Sequence, residues 1–234
     1  MWQLYKKGGL PPAIQAMFDR QSAQQMALIR HQLKRQREDN AWDTPLKELE
    51  VAVFDLETTG FRADAGDEIL SFGAVTVSGG VIQDRFYTLV NPGRSIPPEI
   101  QEMTGITEEM TKDAPSVMEA LRMFFEFVDR RTLIAHASGH DKRFLNAALW
   151  RTSKVRLPHR VLDTMMIAKW LEPNRSDYSL DALLADHGIP VTVRHHALED
   201  SLMTAKLWLH FTDMIVQKRH VHTLGDLYSY LSRS

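Results

Sequence analysis

Asp55 and Glu57 are separated by one residue and follow the dense apolar run Val51-Ala52-Val53-Phe54. That run reads as a buried strand, and side chains on a strand alternate between its two faces. Asp55 and Glu57 therefore emerge on one face, with Leu56 directed into the opposite layer. Two carboxylates side by side at the end of an apolar strand are costly unless something positive lies between them, and a metal ion is the natural compensation. The plainer reading of a bare Asp-x-Glu is two acids facing water at a frayed strand end. The chain contains no cysteine, so disulfides, zinc–thiolate sites and cysteine nucleophiles are excluded. Any bound metal rests on carboxylates, carbonyls, water or histidine, which favours hard cations such as Mg2+ and Mn2+.

Thr58-Thr59-Gly60 carries the segment into a turn. Small residues there let a ligand approach the backbone, and free amides and hydroxyls suit a sugar or a phosphate. Thr58, Thr59 and Gly60 are thus candidate substrate contacts. The stretch Phe54 to Gly60 resembles the first motif, Phe-Asp-x-Glu-Thr-Thr-Gly, of the DEDDh 3′→5′ exonucleases, the superfamily of ribonuclease T and of the proofreading (epsilon) subunit of bacterial DNA polymerase III. His136-Ala137-Ser138-Gly139-His140-Asp141, followed by Phe144-Leu145, is similar to the second motif. It departs from the usual pattern at Ala137, where Asn is common, and at His140, where Phe is common. His195-His196-Ala197-Leu198-Glu199-Asp200 meets the third motif, His-x-Ala-x-x-Asp. Between the motifs, Leu89 to Gly93, Ile96-Pro97, Thr104 to Thr107, Asp163-Thr164 and Tyr178 to Leu183 also look like the family. The likeness runs from about Glu48 to about Leu209.

The resemblance implies a two-metal site with two Mg2+ or Mn2+ ions roughly 3.5–4 Å apart. Asp55 would bridge both ions, Glu57 and Asp200 would help hold the ion that binds the attacking water, and Asp141 would act through an intervening water. His195 would be the general base, since an imidazole titrates near neutral pH. His196 occupies a variable position and is expected to meet solvent or a phosphate. His136 stands at a strand end near the site; it reads first as a structural histidine and otherwise as a substrate contact. Asp163 and Asp181 precede helical stretches and suit helix caps at least as well as ligands.

The elements that must position these residues are legible in outline. Ile69 to Val77 and Val81 to Val90 read as strands joined at Ser78-Gly79-Gly80, antiparallel to each other. Val117 to Val128 reads as an amphipathic helix and Thr132 to Ala135 as a fourth strand. Asp141 to Arg151 is helical, with a short strand near Arg160 to Leu162. Helices follow at Thr164 to Leu171, Ser179 to His187 and Ala197 to about Val216. The expected architecture is α/β: a ribonuclease H-like mixed central sheet flanked by helices, with an N-terminal helical arm. Three parts are expected: an arm over residues 1–47, an exonuclease domain over 48–216 and a tail over 217–234. The arm opens at Pro11-Pro12. Its broken apolar stripe is Ile14, Phe18, Met26, Ile29 and Leu33, and its polar side ends in Arg30, His31, Lys34, Arg35 and Arg37. Packing on its own domain is the plain reading of this arm; docking a DNA polymerase or touching phosphates are the sharper ones.

A net charge of −2 says little about nucleic acid, because a carboxylate cluster spends negative charge that bound metal reverses. The N-terminus lacks the apolar core of a secretory signal and no apolar run approaches a membrane span, so the cytoplasm is the expected location. The leading expectation is hydrolysis of nucleic acid from a free 3′ end to nucleoside monophosphates, with single-stranded or frayed DNA favoured over RNA. A 3′→5′ exoribonuclease is the nearest alternative, and a non-catalytic polymerase-docking or nucleic-acid-binding subunit is the alternative of another class.

Overall fold

The computed structural model describes residues 12–35 and 41–232, with backbone alone for residues 12–22 and residue 35. The Ile14 and Phe18 side chains of the expected stripe, and Arg35 and Arg37 of its basic face, lie outside the described residues.

A five-stranded sheet runs in the order β3-β2-β1-β4-β5. Its strands are β1 (Val51–Thr58), β2 (Ile69–Ser78), β3 (Val81–Leu89), β4 (Thr132–Ala135) and β5 (Val161–Asp163). β1 is the central strand, and Val51 to Phe54 at its start are fully buried. It pairs antiparallel with β2 and parallel with β4, which makes the sheet mixed. The β2–β3 hairpin turns at Gly79 and Gly80, both with positive φ (57° and 76°), the conformation that a two-residue hairpin turn demands of both central residues.

Helices cover both faces. One face carries α1 (Pro12–Arg35), α4 (Val117–Val128) and α5 (Gly139–Ser153); the other carries α6 (Thr164–Leu171), α7 (Leu180–Asp186), α8 (Ala197–Met214) and α9 (Leu224–Leu231). The short α2 (Pro98–Thr104) and α3 (Glu108–Thr111) lie between β3 and α4. Strand alternation sorts β1 between two cores. Val51 and Val53 pack with Leu207, Trp208 and Phe211 beneath α8, while Ala52, Phe54 and Leu56 pack with Phe124, Phe144 and Leu149 beneath α4 and α5. Asp55 and Glu57 thus continue the α8 face of the strand, as its period of two requires.

Two contacts hold α8 close to the sheet. Ser201 Oγ donates to the Gly73 carbonyl at 3.0 Å, and the Gly73 Cα is so near the helix start that an added Cβ would lie 2.1 Å from the Ala197 carbonyl carbon. α4 opens with a reciprocal cap between Ser116 and Glu119. α1 lies along α4 and α5 with Ile29 and Leu33 buried, and Arg30 Nε donates to the Ser153 carbonyl at 2.9 Å. α9, within residues 217–234, buries Leu224 and Leu227 completely, and Gly225 N–H donates to the Trp42 carbonyl at 2.8 Å. No helix among the described residues is long and apolar enough to cross a membrane.

Candidate active site

Three elements bring acids to one place. β1 supplies Asp55 and Glu57, the first turn of α8 supplies Asp200, and one carboxylate oxygen from each lies within 4.8 Å of the others. Asp141 arrives on the first turn of α5 and is buried. A cavity of about 420 Å3 opens beside them, lined by Asp55, Glu57, Thr58, His136, His195 and Asp200 among others, with the exposed Phe61 and Met103 at its border.

Burial is the main force on these carboxylates, and repulsion from the other acids of the cluster adds to it at Asp55 and Glu57. Asp55 is held well above the ordinary carboxylate range, by burial first and then by Asp141, Glu57 and Asp200. Burial, then Asp200 and Asp141, pushes Glu57 up to about 8. Burial pushes Asp141 up to about 7, although backbone N–H groups of Leu56 and of Asp141 itself oppose the shift. Burial also raises Asp200, against the pull of Arg194. Hard oxygen donors that converge and lack enough positive charge fit a divalent cation such as Mg2+ or Mn2+.

The loop before α8 is bound to the same cluster. His195 lines the cavity in a left-handed conformation (φ 57°), and its backbone N–H donates to Asp200 Oδ2 at 3.0 Å. Arg194 pairs with Asp200 Oδ1 and, through Nε, with Asp181 Oδ1 at 2.6 Å. Arg194 escaped the sequence reading, since an arginine before a His-x-Ala-x-x-Asp pattern carries no signal without knowledge of what it faces. Its adjacency to His195 was the one available clue. His196 does not simply meet solvent: it stacks on Tyr87, with ring centroids 4.7 Å apart and planes at 18°. Asp181 binds Arg194, and Ser179 provides the cap of α7.

The four expected substrate contacts have neighbours of their own within the chain, and Thr58 and His136 line the cavity. Both ring nitrogens of His136 are spent internally, Nδ1 on Thr164 Oγ1 at 2.9 Å and Nε2 on the Tyr178 carbonyl at 3.0 Å. The ring borders the cavity without a free nitrogen to offer. The register between β1 and β2 shifts between Glu57 and Thr58, where Leu70 of β2 is the extra residue. Thr58 lines the cavity beside Glu57, with its hydroxyl donating to the Gly60 carbonyl at 2.7 Å and 3.2 Å from His140 Nε2. Thr59 turns away, its Oγ1 accepting from Glu68 N–H at 3.0 Å. Gly60 is small for a local reason: a Cβ there would meet Asp67 Oδ2 at 2.4 Å. Asp163 is a cap and more, accepting from the N–H groups of Met165, Ala137 and Ser138 at 2.9, 3.1 and 2.8 Å. It fixes the turn (Ala137 φ 52°) from which α5 presents Asp141.

A family model described as exonuclease (RNase T) matches residues 52–208. The chain is 39% identical over 171 residues to a DNA polymerase III subunit epsilon-like protein of Rhodobacter capsulatus, covering 71% of this chain and 24% of that one. The curated relatives it matches are much longer, and the chain spans 12–30% of their lengths. Among solved structures, exonuclease X in complex with 5′-overhanging duplex DNA is 25% identical with a TM-score of 0.58, covering 70% of this chain and 92% of that one. The nuclease domain of 3′hExo, a DEDDh family member bound to rAMP, gives a TM-score of 0.64 at 19% identity, covering 75% and 94%. The mixed sheet with helices on both faces is the ribonuclease H-like fold of these exonucleases.

Proposed function

The chain belongs to the DEDDh-type exonuclease family, and on that premise we propose that it removes nucleotides from the 3′ end of single-stranded or frayed DNA, with Asp55, Glu57, Asp141, Asp200 and His195 as its working residues. The observation that carries this reading is the convergence of Asp55, Glu57 and Asp200 within 4.8 Å beside a cavity that His195 also lines.

Asp55, Glu57 and Asp200 would hold two divalent cations, with Asp141 acting through water. Such ions, when bound, supply charge neutralisation at the scissile phosphate and a lowered pKa for the attacking water. His195, on the loop before α8 and lining the cavity, would accept a proton from the attacking water as general base. Asp200 holds the His195 backbone through its N–H, so the base and a ligand are placed by one contact. Thr58 shapes the wall next to Glu57, and Phe61 and Met103 offer apolar surface to the terminal bases.

The name of the Rhodobacter relative ties that protein to DNA polymerase III; by extension, a polymerase is the partner we propose here. α1 is the candidate dock, because its buried side faces its own domain while Leu28, His31 and Lys34 face outward. A cytoplasmic location goes with this reading.

The test uses 5′-labelled DNA and RNA oligonucleotides of one sequence with Mg2+, Mn2+ or EDTA. A metal-dependent ladder on DNA, slower on RNA, is expected, and a circular single strand should resist. Faster shortening of RNA would make the enzyme an exoribonuclease. Binding without shortening would make it a docking or binding subunit, and rapid cutting of the circle would overturn the end requirement.

A further inference from the structure

Arg194 has no task in the hydrolytic reading, yet its guanidinium borders the cavity. It joins two carboxylates of unlike setting: the Asp200 side chain is 7% exposed, that of Asp181 59%. Asp200 is engaged at both oxygens, Oδ1 by Arg194 and Oδ2 by the His195 N–H. The charge of Arg194 reaches further, holding down the pKa of Asp55 and Glu57 against burial and repulsion. A divalent ion on Asp200 and a guanidinium on the same carboxylate would be cations in near contact, which repel strongly in a partly desolvated site. Asp181, already bonded to Nε, is an exposed second anchor onto which the side chain can withdraw.

We propose that Arg194 is the resident counter-cation of the carboxylate cluster, competing with the divalent ion for Asp200 and withdrawing toward Asp181 when that ion binds. Arg194 is in this sense a positioning residue. Because Arg194 and His195 are consecutive and both hold Asp200, its release also shifts the loop that carries His195, so metal loading and placement of the base are linked. The proposal rests on the reading of Asp55, Glu57 and Asp200 as metal ligands.

The experiment is calorimetric titration of Mn2+ into the full chain without nucleic acid, for wild type, Arg194→Ala, Arg194→Lys, Asp181→Asn and the Arg194→Ala/Asp181→Asn double variant. Arg194→Ala should bind Mn2+ about tenfold more tightly or better, the direction expected when a nearby like charge is removed. Arg194→Lys keeps the charge but cannot span both carboxylates, so its affinity should fall between the two. Asp181→Asn removes the second anchor and should weaken Mn2+ binding, an effect that vanishes in the Arg194→Ala background. A role confined to folding would weaken binding in every variant. Unchanged or weaker binding by Arg194→Ala overturns the proposal, as does an Asp181→Asn effect of equal size in both backgrounds. If Arg194→Ala fails to fold, Arg194→Lys decides, and binding no tighter than wild type counts against it. Should the wild type bind no Mn2+, the metal-ligand reading itself fails and this inference falls with it; binding by wild type without tightening in the variants defeats the inference alone.

Discussion

Glu57 is the acid whose environment speaks most plainly, being pushed up to about 8 by burial and by the charges of Asp200 and Asp141. Replacing it with glutamine removes a metal ligand and a repelling charge together. Glu57→Gln and Asp55→Ala are therefore expected to lose hydrolysis while their EDTA-treated forms melt at or above the wild-type temperature near pH 8. Full activity of Asp55→Ala in saturating Mg2+ would remove Asp55 from the metal site. The two adjacent histidines divide on different grounds. His195 faces the cavity from a loop, and His195→Ala should lower single-turnover rates by about 10²–10⁴-fold, the usual range for a general base. His196 is a packing residue on Tyr87. His196→Ala should leave the rate much closer to wild type and cost about 1 kcal/mol of stability, as expected for one ring pair. Rates in the reverse order would displace the base assignment to His196.

The acids reach one another only because α8 starts close to β2. Gly73 is the element-scale residue for that approach, since a side chain there would collide with the backbone of Ala197 and Leu198. Gly73→Ala should destabilise by about 1–3 kcal/mol or more through overpacking. It should also weaken Mn2+ binding, because moving the first turn of α8 moves Asp200. Ser116→Ala is the contrasting change: it removes the cap of α4, far along the chain from the acids, and should cost about 1 kcal/mol with the rate unchanged. Equal loss of metal affinity in both variants, measured by the same titration, would mean that general loosening rather than the α8 position governs the site.

At the scale of the whole molecule, the carboxylate cluster makes stability depend on pH in an unusual direction. Glu57 moves from 4.5 to about 8 and Asp141 from 3.8 to about 7 on folding, so the folded chain binds more protons than the unfolded one between those values. The contribution of these groups to the stability of the metal-free protein then falls as pH rises through that window. Burial lowers the pKa of His136, His140, His159 and His187, which opposes the fall below about pH 7, where those rings still titrate in the unfolded chain. Melting in EDTA is therefore expected to decline from about pH 7 to about pH 8, and saturating Mn2+ should abolish most of the decline by replacing protons at the cluster. A metal-free melting temperature that climbs over that interval would show that these groups are ionised in the fold without penalty.

The features that depend on local periodicity were readable from the chain. A period of two put Asp55 and Glu57 on one face of β1, an apolar stripe with a Ser-x-x-Glu start defined α4, and the lack of cysteine limited the site to hard-cation chemistry. The three motifs named the acids and His195 before any coordinate did, and a strand, a helix start and a loop then brought Asp55, Glu57, Asp200 and His195 to one cavity. The short α2, α3 and α9 were not read from the chain, although α6 and α7 of similar length were, and α9 is held by burying Leu224 and Leu227 against distant elements. Partner choice was equally invisible. Nothing near His136 announces that Thr164 and Tyr178 will occupy its nitrogens, nor near Arg194 that Asp181 and Asp200 will flank it. The register shift by which Thr58 pairs with Ile69 rather than Leu70 is likewise set by β2, eleven residues on. Facing direction is a property of neighbouring backbone angles, which sequence encodes locally. Which donor meets which acceptor at 3 Å depends on how far-apart segments pack, and only the tertiary structure decides that.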